Sequence, residues 1–279
     1  MTSSSSPGVA LMAEGFSYLV GAQVPVVLVN IMRGGPGLGD IAPSQGDYHM
    51  STKGMGHGDK KAIVLAPATV QEAVDMMSLA FELADQYRNP VMVIGDGLIG
   101  QMMEPVLFPE GEPKKLEKSW ATTGKQPGRA RNLINSLFLE PEDMEKHIRH
   151  LFDKFEMMEQ KEQRWEDYLL EDHPSIVLCA YGTTARICKT AMRELRKHGI
   201  AVGLFRPITA WPFPYAALRK HVEQAQVLLT IEMSMGQMVD DVRVAVEGRR
   251  PVRFFGRTGG VVPTVEEVIA QVTQIHAAL

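Results

Sequence analysis

Cysteine is nearly absent from this chain of 279 residues, which carries only Cys179 and Cys188. One lies in the apolar run Ile176–Ala180 and the other in a helical pattern. That placement suits buried thiols in a reducing compartment and excludes a disulfide framework or a CxxC metal site. It equally excludes an iron–sulfur cluster held by this chain's own cysteines. No apolar run reaches the ~18 residues of a membrane span, and the N-terminus lacks the basic, apolar, small-residue order of a signal peptide. A strong charge of either sign is missing too: 29 Lys and Arg against 33 Asp and Glu leave a net −4, without the basic face that nucleic acid needs. Lys114, Lys115 and Lys118 alternate with Glu112 and Glu117 and read as a solvated loop. No short-period repeat is visible. The expectation is a soluble, cytoplasmic protein.

What is present is an alternation of strand and helix patterns in a chain long enough for two domains. Val24–Ile31, Ala62–Ala66 and Pro90–Ile94 read as buried strands, and Thr69–Tyr87 reads as a helix with a capping-box pattern at Thr69 and Glu72. The opening "MTSSSSPG" is a serine cluster ahead of a helix, a natural cap and anion-binding turn. Such a turn normally follows a strand, and the sequence predicts none before it. From 109 to 173 prolines and dense charge give way to an amphipathic helical pattern over Asp143–Asp172. Four more strands follow, at Ser175–Ala180, Ile200–Leu204, Val227–Ile231 and Val252–Phe255, with helices at Thr183–His198, Tyr215–Ala225, Gln237–Glu247 and Thr264–Ala277. The expected fold is α/β, with two mostly parallel sheets flanked by helices. The expected domains are 1–108 and 174–279, joined by a linker and connecting helix over 109–173.

Between the first two strands lie about thirty glycine-rich residues, where connections usually run ~4–6. "GGPGLGDI" fails as a dinucleotide fingerprint, because Asp40 stands where the third glycine belongs and Pro43 blocks an immediate helix. Arg33, beside Gly34 and Gly35 at a strand's carboxyl end, points to an anionic ligand, since a guanidinium forks onto a carboxylate and ligands of α/β sheets bind at that edge. His49 and His57 read as loop histidines, not metal ligands. Gln45 and Asp47 could fix either a ligand or a partner chain. "CAYGTTAR" offers a possible phosphate cradle at Gly182–Thr184, Glu232 reads as a helix cap or interface residue, and "FRPITAWPFP" places Arg206 in a rigid packed turn.

Together "MTSSSSPG", "VNIMRGGPGLGDIAPSQGDY", "STKGMGHGD", "LAPATVQEAVDM", "YRNPVMVIGDGLIGQMMEP", "YGTTARI" and "LFRPITAWPFP" resemble the α subunits of 2-oxoacid:ferredoxin oxidoreductases, above all those acting on 3-methyl-2-oxobutanoate (2-ketoisovalerate). The resemblance implies a thiamine diphosphate enzyme with a pyrimidine-binding domain first and a transketolase C-terminal-like domain second. It implies that a β subunit holds the diphosphate and Mg²⁺, that iron–sulfur clusters sit on that subunit and a ferredoxin-like one, and that a γ subunit takes part. The implied reaction is CoA-dependent oxidative decarboxylation of a 2-oxoacid, with electrons passed to ferredoxin and acyl-CoA formed. Arg33 falls where the family's arginine meets the substrate carboxylate, and Ser5, Ser6 and Gly8 fall at the cofactor's pyrimidine edge. The loop from Arg33 to Asp59 is then expected to form a substrate-side wall and to pack against the β subunit.

One departure stands out. The family has about seventy more residues upstream, with a "YPITP"-like motif and a glutamate that activates the cofactor's pyrimidine nitrogen. Neither is in this sequence. The expectation is therefore an N-terminally incomplete pyrimidine-binding domain with no catalytic residue of its own, inactive without its partners and that segment. A non-catalytic assembly subunit, and specificity for 2-oxoglutarate or pyruvate instead of a branched-chain acid, remain open alternatives.

Overall fold

A computed structural model describes residues 1–108, 110, 116–125 and 127–279. The expectation for Lys114, Lys115 and Glu112 lies outside the described residues. Lys118, within them, pairs with Asp85 at 2.6 Å.

The first half runs β1 (Thr2–Ser4), α1 (Ser6–Ala10), α2 (Ala13–Gly21), β2 (Val27–Met32), β3 (Ile63–Leu65), α3 (Val70–Tyr87), β4 (Val91–Asp96) and α4 (Gly97–Gln101). A strand does precede the serine turn: Thr2–Ser4 pairs in parallel with Leu28–Asn30. Three residues are too short to show a period-2 pattern, which is why the sequence hid it. The sheet order is β1-β2-β4-β3, all parallel. The β2 and β4 runs are β-branched and apolar because helices cover both faces.

The connecting helix α5 (Pro141–Lys161) is shorter than its hydrophobic pattern suggests. Trp165–Tyr168 instead forms β5, antiparallel to β7 (Val202–Pro207) at the edge of the second sheet. That sheet also contains β6 (Ile176–Cys179), β9 (Val227–Glu232) and β10 (Val252–Gly256), in the order β10-β9-β6-β7-β5. Its helices are α6 (Gly182–Lys197), α7 (Tyr215–Val222), α8 (Met238–Val246) and α9 (Val265–His276). Both sheets are thus mostly parallel and helix-flanked, as the alternation predicted. Cys179 and Cys188 are both buried and free, and burial pushes both thiols up.

Residues read as a packed turn do something else. Past β7, Thr209–Trp211 form β8, which crosses over and adds antiparallel to β3 of the first sheet. The chain therefore passes from one sheet to the other within "RPITAW". Arg206 lies buried at this crossing. It binds both carboxylate oxygens of Glu72 on α3, and Glu166 of β5 at 2.9 Å. Burial alone would depress its pKa, and the two carboxylates outweigh that, leaving it raised. The capping box on α3 is consequently half-formed. Thr69 Oγ1 accepts the Glu72 N–H at 3.1 Å, while the Glu72 carboxylate turns to Ala68 N–H and Arg206.

Candidate functional site

The carboxyl ends of β1, β2 and β4 converge on one rim, and the serine turn and Arg33 stand on it. Ser5 caps α1 without a side-chain hydrogen bond. Ser6 N–H donates to Asn30 Oδ1 at 3.1 Å, and its hydroxyl donates to Asp47 Oδ2 at 2.5 Å. Arg33 N–H donates to Ser6 Oγ at 3.0 Å. Gly8 has a steric reason, since a Cβ there would lie 2.1 Å from Ser4 Oγ.

Arg33 is half-buried, and its Nε is buried without a hydrogen-bond partner. No carboxylate pairs with it among the described residues. It lines a cavity of about 330 Å³ with Ser5, Ile31, Met32, Ile41, Gly97, Gly100 and Gln101. One half-buried cation beside three aliphatic side chains suits a small carboxylate with an apolar tail.

The glycine-rich loop closes on itself before it reaches anything else. Arg33 bridges to Pro43, Gly34 N–H donates to Ala42 O at 3.0 Å, and Asp40 N–H donates to Gly34 O at 3.1 Å. Gly39 has φ +58°, and a Cβ there would lie 1.9 Å from the Gly34 carbonyl, so glycine is required. Leu38 and Ile41 on this tip are exposed.

Beyond the tip the loop clasps the second half of its own chain. Gln45 is fully buried; its Nε2 donates to Tyr181 O at 2.9 Å, and its Oε1 accepts Met233 N–H at 2.9 Å. Tyr48 donates to Asp241 at 2.7 Å, and His49 N–H donates to Gln237 Oε1 at 2.7 Å. Gln45 thus fixes a neighbouring part of this chain, an outcome the sequence could not separate from a ligand or partner role. Asp47 turns the other way, toward Ser6 and Asn30. His49 lies near Asp240, and His57 stacks edge-on to Tyr18. Among the described residues no group of three or more His, Cys, Asp or Glu could hold a metal ion.

The suspected phosphate cradle is filled from within. Gly182, at φ +55°, opens α6 against Gln45 and the buried Asp96. Burial raises the Asp96 carboxyl above the usual range, against hydrogen bonds from the Ile99 and Leu98 N–H groups. Glu232 is a helix cap: its carboxylate accepts the N–H groups of Gln237, Met238 and Val239 at the start of α8. Asn30 and Asp47 were the residues whose part at the rim was hidden in sequence, because the bonds that matter span 17 to 41 positions.

The fold defines an α/β protein of two mostly parallel, helix-flanked sheets with a cavity at the carboxyl edge of the first. Residues 1–170 match the thiamine diphosphate-binding model of pyruvate flavodoxin/ferredoxin oxidoreductases, and 175–268 match pyruvate:ferredoxin oxidoreductase core domain II. The ketoisovalerate oxidoreductase subunit VorB of Methanothermobacter thermautotrophicus is 43% identical over 276 residues, covering 99% of this chain and 78% of that one. The 2-oxoglutarate synthase subunit KorA of Archaeoglobus fulgidus is 34% identical, covering 92% of this chain and 74% of its own. The 2-oxoglutarate:ferredoxin oxidoreductase from Magnetococcus marinus, solved with 2-oxoglutarate, coenzyme A and succinyl-CoA, has a TM-score of 0.82 at 23% identity. That match covers 98% of this chain and 52% of the other and speaks to fold alone. This chain belongs to the 2-oxoacid:ferredoxin oxidoreductase family. Its relatives are subunits of oxidoreductases, and thiamine diphosphate is the cofactor that the matched domain binds. No helix among the described residues is long and apolar enough to cross a membrane.

Proposed function

We propose that this chain supplies the oxoacid-facing side of a thiamine diphosphate site completed by a β subunit. The substrate is a branched-chain 2-oxoacid, converted with CoA to acyl-CoA while electrons pass to ferredoxin. Arg33 holds the substrate carboxylate, and the Ser5, Ser6 and Gly8 turn faces the pyrimidine edge of the cofactor. The observation that carries this reading is Arg33 itself: a guanidinium without a carboxylate partner among the described residues, at the carboxyl ends of parallel strands, on a cavity with aliphatic walls.

The rim fits one end of the cofactor site. It has a cation and a serine turn for an acid and a ring edge. In this reading a β subunit holds the diphosphate and Mg²⁺, that subunit and a ferredoxin-like one carry the iron–sulfur clusters, a γ subunit takes part, and the assembly is cytoplasmic. Thiamine diphosphate, when bound, supplies the carbanion chemistry that releases CO₂. This chain's part is to orient the oxoacid. Arg33 fixes the acid end, Ile31 and Met32 give the rim an apolar floor, and the glycine tip lets the substrate approach the backbone.

Branched-chain preference has support beyond the 43% relative. The cavity residues include one cation, so the second carboxylate of 2-oxoglutarate would meet Ile31, Met32 or Ile41 instead of a charge. We propose in addition that the two units meet between residues 170 and 175, where the two family matches divide. The test is co-expression with the partner subunits, followed by CoA-dependent viologen reduction. The expected order of kcat/KM is 3-methyl-2-oxobutanoate above pyruvate and 2-oxoglutarate. A preference for 2-oxoglutarate overturns the substrate assignment, and absence of any oxoacid-dependent reduction by the assembled complex favours a non-catalytic assembly role.

A further inference from the structure

The polar ring around Ser6 joins the oxoacid-facing turn to the second half of the chain, and one carboxylate stands at the junction. The Ser6 hydroxyl has a single proton, and it goes to Asp47 Oδ2 at 2.5 Å. Its oxygen is thereby left to accept the Arg33 N–H at 3.0 Å. The same Asp47 oxygen accepts Asn30 Nδ2–H at 3.0 Å, and buried Asn30 in turn accepts the Ser6 N–H at 3.1 Å. Without Asp47 the Ser6 side chain loses the charge-assisted bond that fixes its rotamer. A change of χ1 would then carry its oxygen away from the Arg33 N–H and release the arginine backbone.

Asp47 is itself held between two anchors on the second half. Ahead of it, Gln45 is locked to Tyr181 and Met233; behind it, His49 N–H donates to Gln237 Oε1 at 2.7 Å. Gly46 O, between them, accepts from Gln237 Nε2 at 2.5 Å. A shift of α8 or of the β9–α8 turn therefore moves Asp47, and with it Ser6 and Arg33.

We propose that Asp47 is a positioning residue for the oxoacid carboxylate: it fixes the Ser6 hydroxyl that seats Arg33, and it couples that seat to the second α/β unit. The inference rests on Arg33 being the carboxylate contact. It adds a residue that never touches substrate and a route by which the second unit sets affinity at the first.

The experiment uses the assembled complex with four variants: Asp47→Ala, Asp47→Asn, Arg33→Ala, and Arg33→Ala with Asp47→Ala. Three quantities are read: the Kd of the acylphosphonate analogue of 3-methyl-2-oxobutanoate by calorimetry, KM and kcat for the oxoacid, and Tm. The analogue carries the anion but cannot lose CO₂, so its Kd reports binding apart from turnover. Asp47→Ala raises Kd and KM by about tenfold, the size of one lost hydrogen bond to a charged group, while kcat stays within about twofold. Asp47→Asn keeps an acceptor for Ser6 and recovers most of that loss. In the Arg33→Ala background Asp47→Ala adds almost nothing, because the two act as one unit. Equal effects of Asp47→Ala with and without Arg33 show a general structural role and overturn the proposal. Unchanged Kd and KM in Asp47→Ala overturn it as well. If Asp47→Ala does not assemble, Asp47→Asn is compared in both backgrounds: a small rise confined to the Arg33 background supports the proposal, and no rise, or an equal one in both, overturns it. If Arg33→Ala alone leaves Kd unchanged, the carboxylate assignment has failed, a result distinct from the others.

Discussion

Arg33 and Arg206 both stand at the carboxyl ends of parallel strands, and they differ in their partners. Arg206 is neutralised by Glu72 and Glu166, which lie 134 and 40 positions away in sequence. Arg33 has no such carboxylate among the described residues. Sequence could place both arginines at strand ends; it could not show that long-range acids claim one of them and leave the other without a carboxylate among the described residues. Arg206→Met would leave the Glu72 carboxylate with the Ala68 N–H alone, while Glu166 keeps Lys189 at 2.6 Å, and because both acids are part-exposed a loss of about 1–3 kcal/mol is expected, read from the urea midpoint. A change below ~1 kcal/mol would contradict the crosslink. Lys154 on α5 gives a second prediction at this scale. It is buried, with long hydrogen bonds to Gln23 Oε1 and Arg88 O at 3.5 and 3.3 Å, and His150 also reaches Gln23. Burial, with the Arg88 charge adding to it, lowers its pKa from 10.5 to about 7. Between those values the unfolded chain binds more protons than the folded one, so stability rises with pH through that window. Lys154→Met should therefore raise Tm most at pH 7 and below, with the advantage fading toward pH 10. A pH-independent difference would show that the ammonium is not desolvated.

At the scale of elements, the long loop divides into a self-closed glycine tip and a clasp on the second half. The sequence marked this loop as functional from its length and its glycines. It did not show that Gln45, Tyr48 and His49 are engaged within the chain. That distinction was illegible because a buried glutamine and a ligand-binding glutamine have the same sequence signature. Gln45→Ala removes a donor and an acceptor from a buried site and leaves the Met233 N–H unpaired, while the Tyr181 carbonyl keeps Thr184 Oγ1 at 2.7 Å. The expected cost is about 2–4 kcal/mol, with the second sheet losing its hydrogen-exchange protection relative to the first. Uniform loss of protection in both sheets would contradict a clasp. Helices were easier to read: α3 and α6 to α9 fall within a few residues of their patterns, because each has one long apolar face. The three-residue strands β1 and β8 and the polar edge strand β5 were not read, since pairing and not side-chain periodicity defines them.

For the whole molecule, the devices that lock the two sheets include the crossing strand β8, the Arg206 crosslink and the Gln45 clasp. The fold class was legible in the alternation of strand and helix. The coupling between the halves was not, because every contact that makes it is long-range. That coupling is what brings the second half to bear on the rim at Ser6 and Arg33. The central claim is that Arg33 holds the oxoacid's carboxylate, and it is tested by kcat/KM for 3-methyl-2-oxobutanoate in the assembled complex carrying Arg33→Ala. Loss of a charge-assisted contact predicts a fall equivalent to about 2–4 kcal/mol, mainly in KM. An unchanged kcat/KM would contradict it.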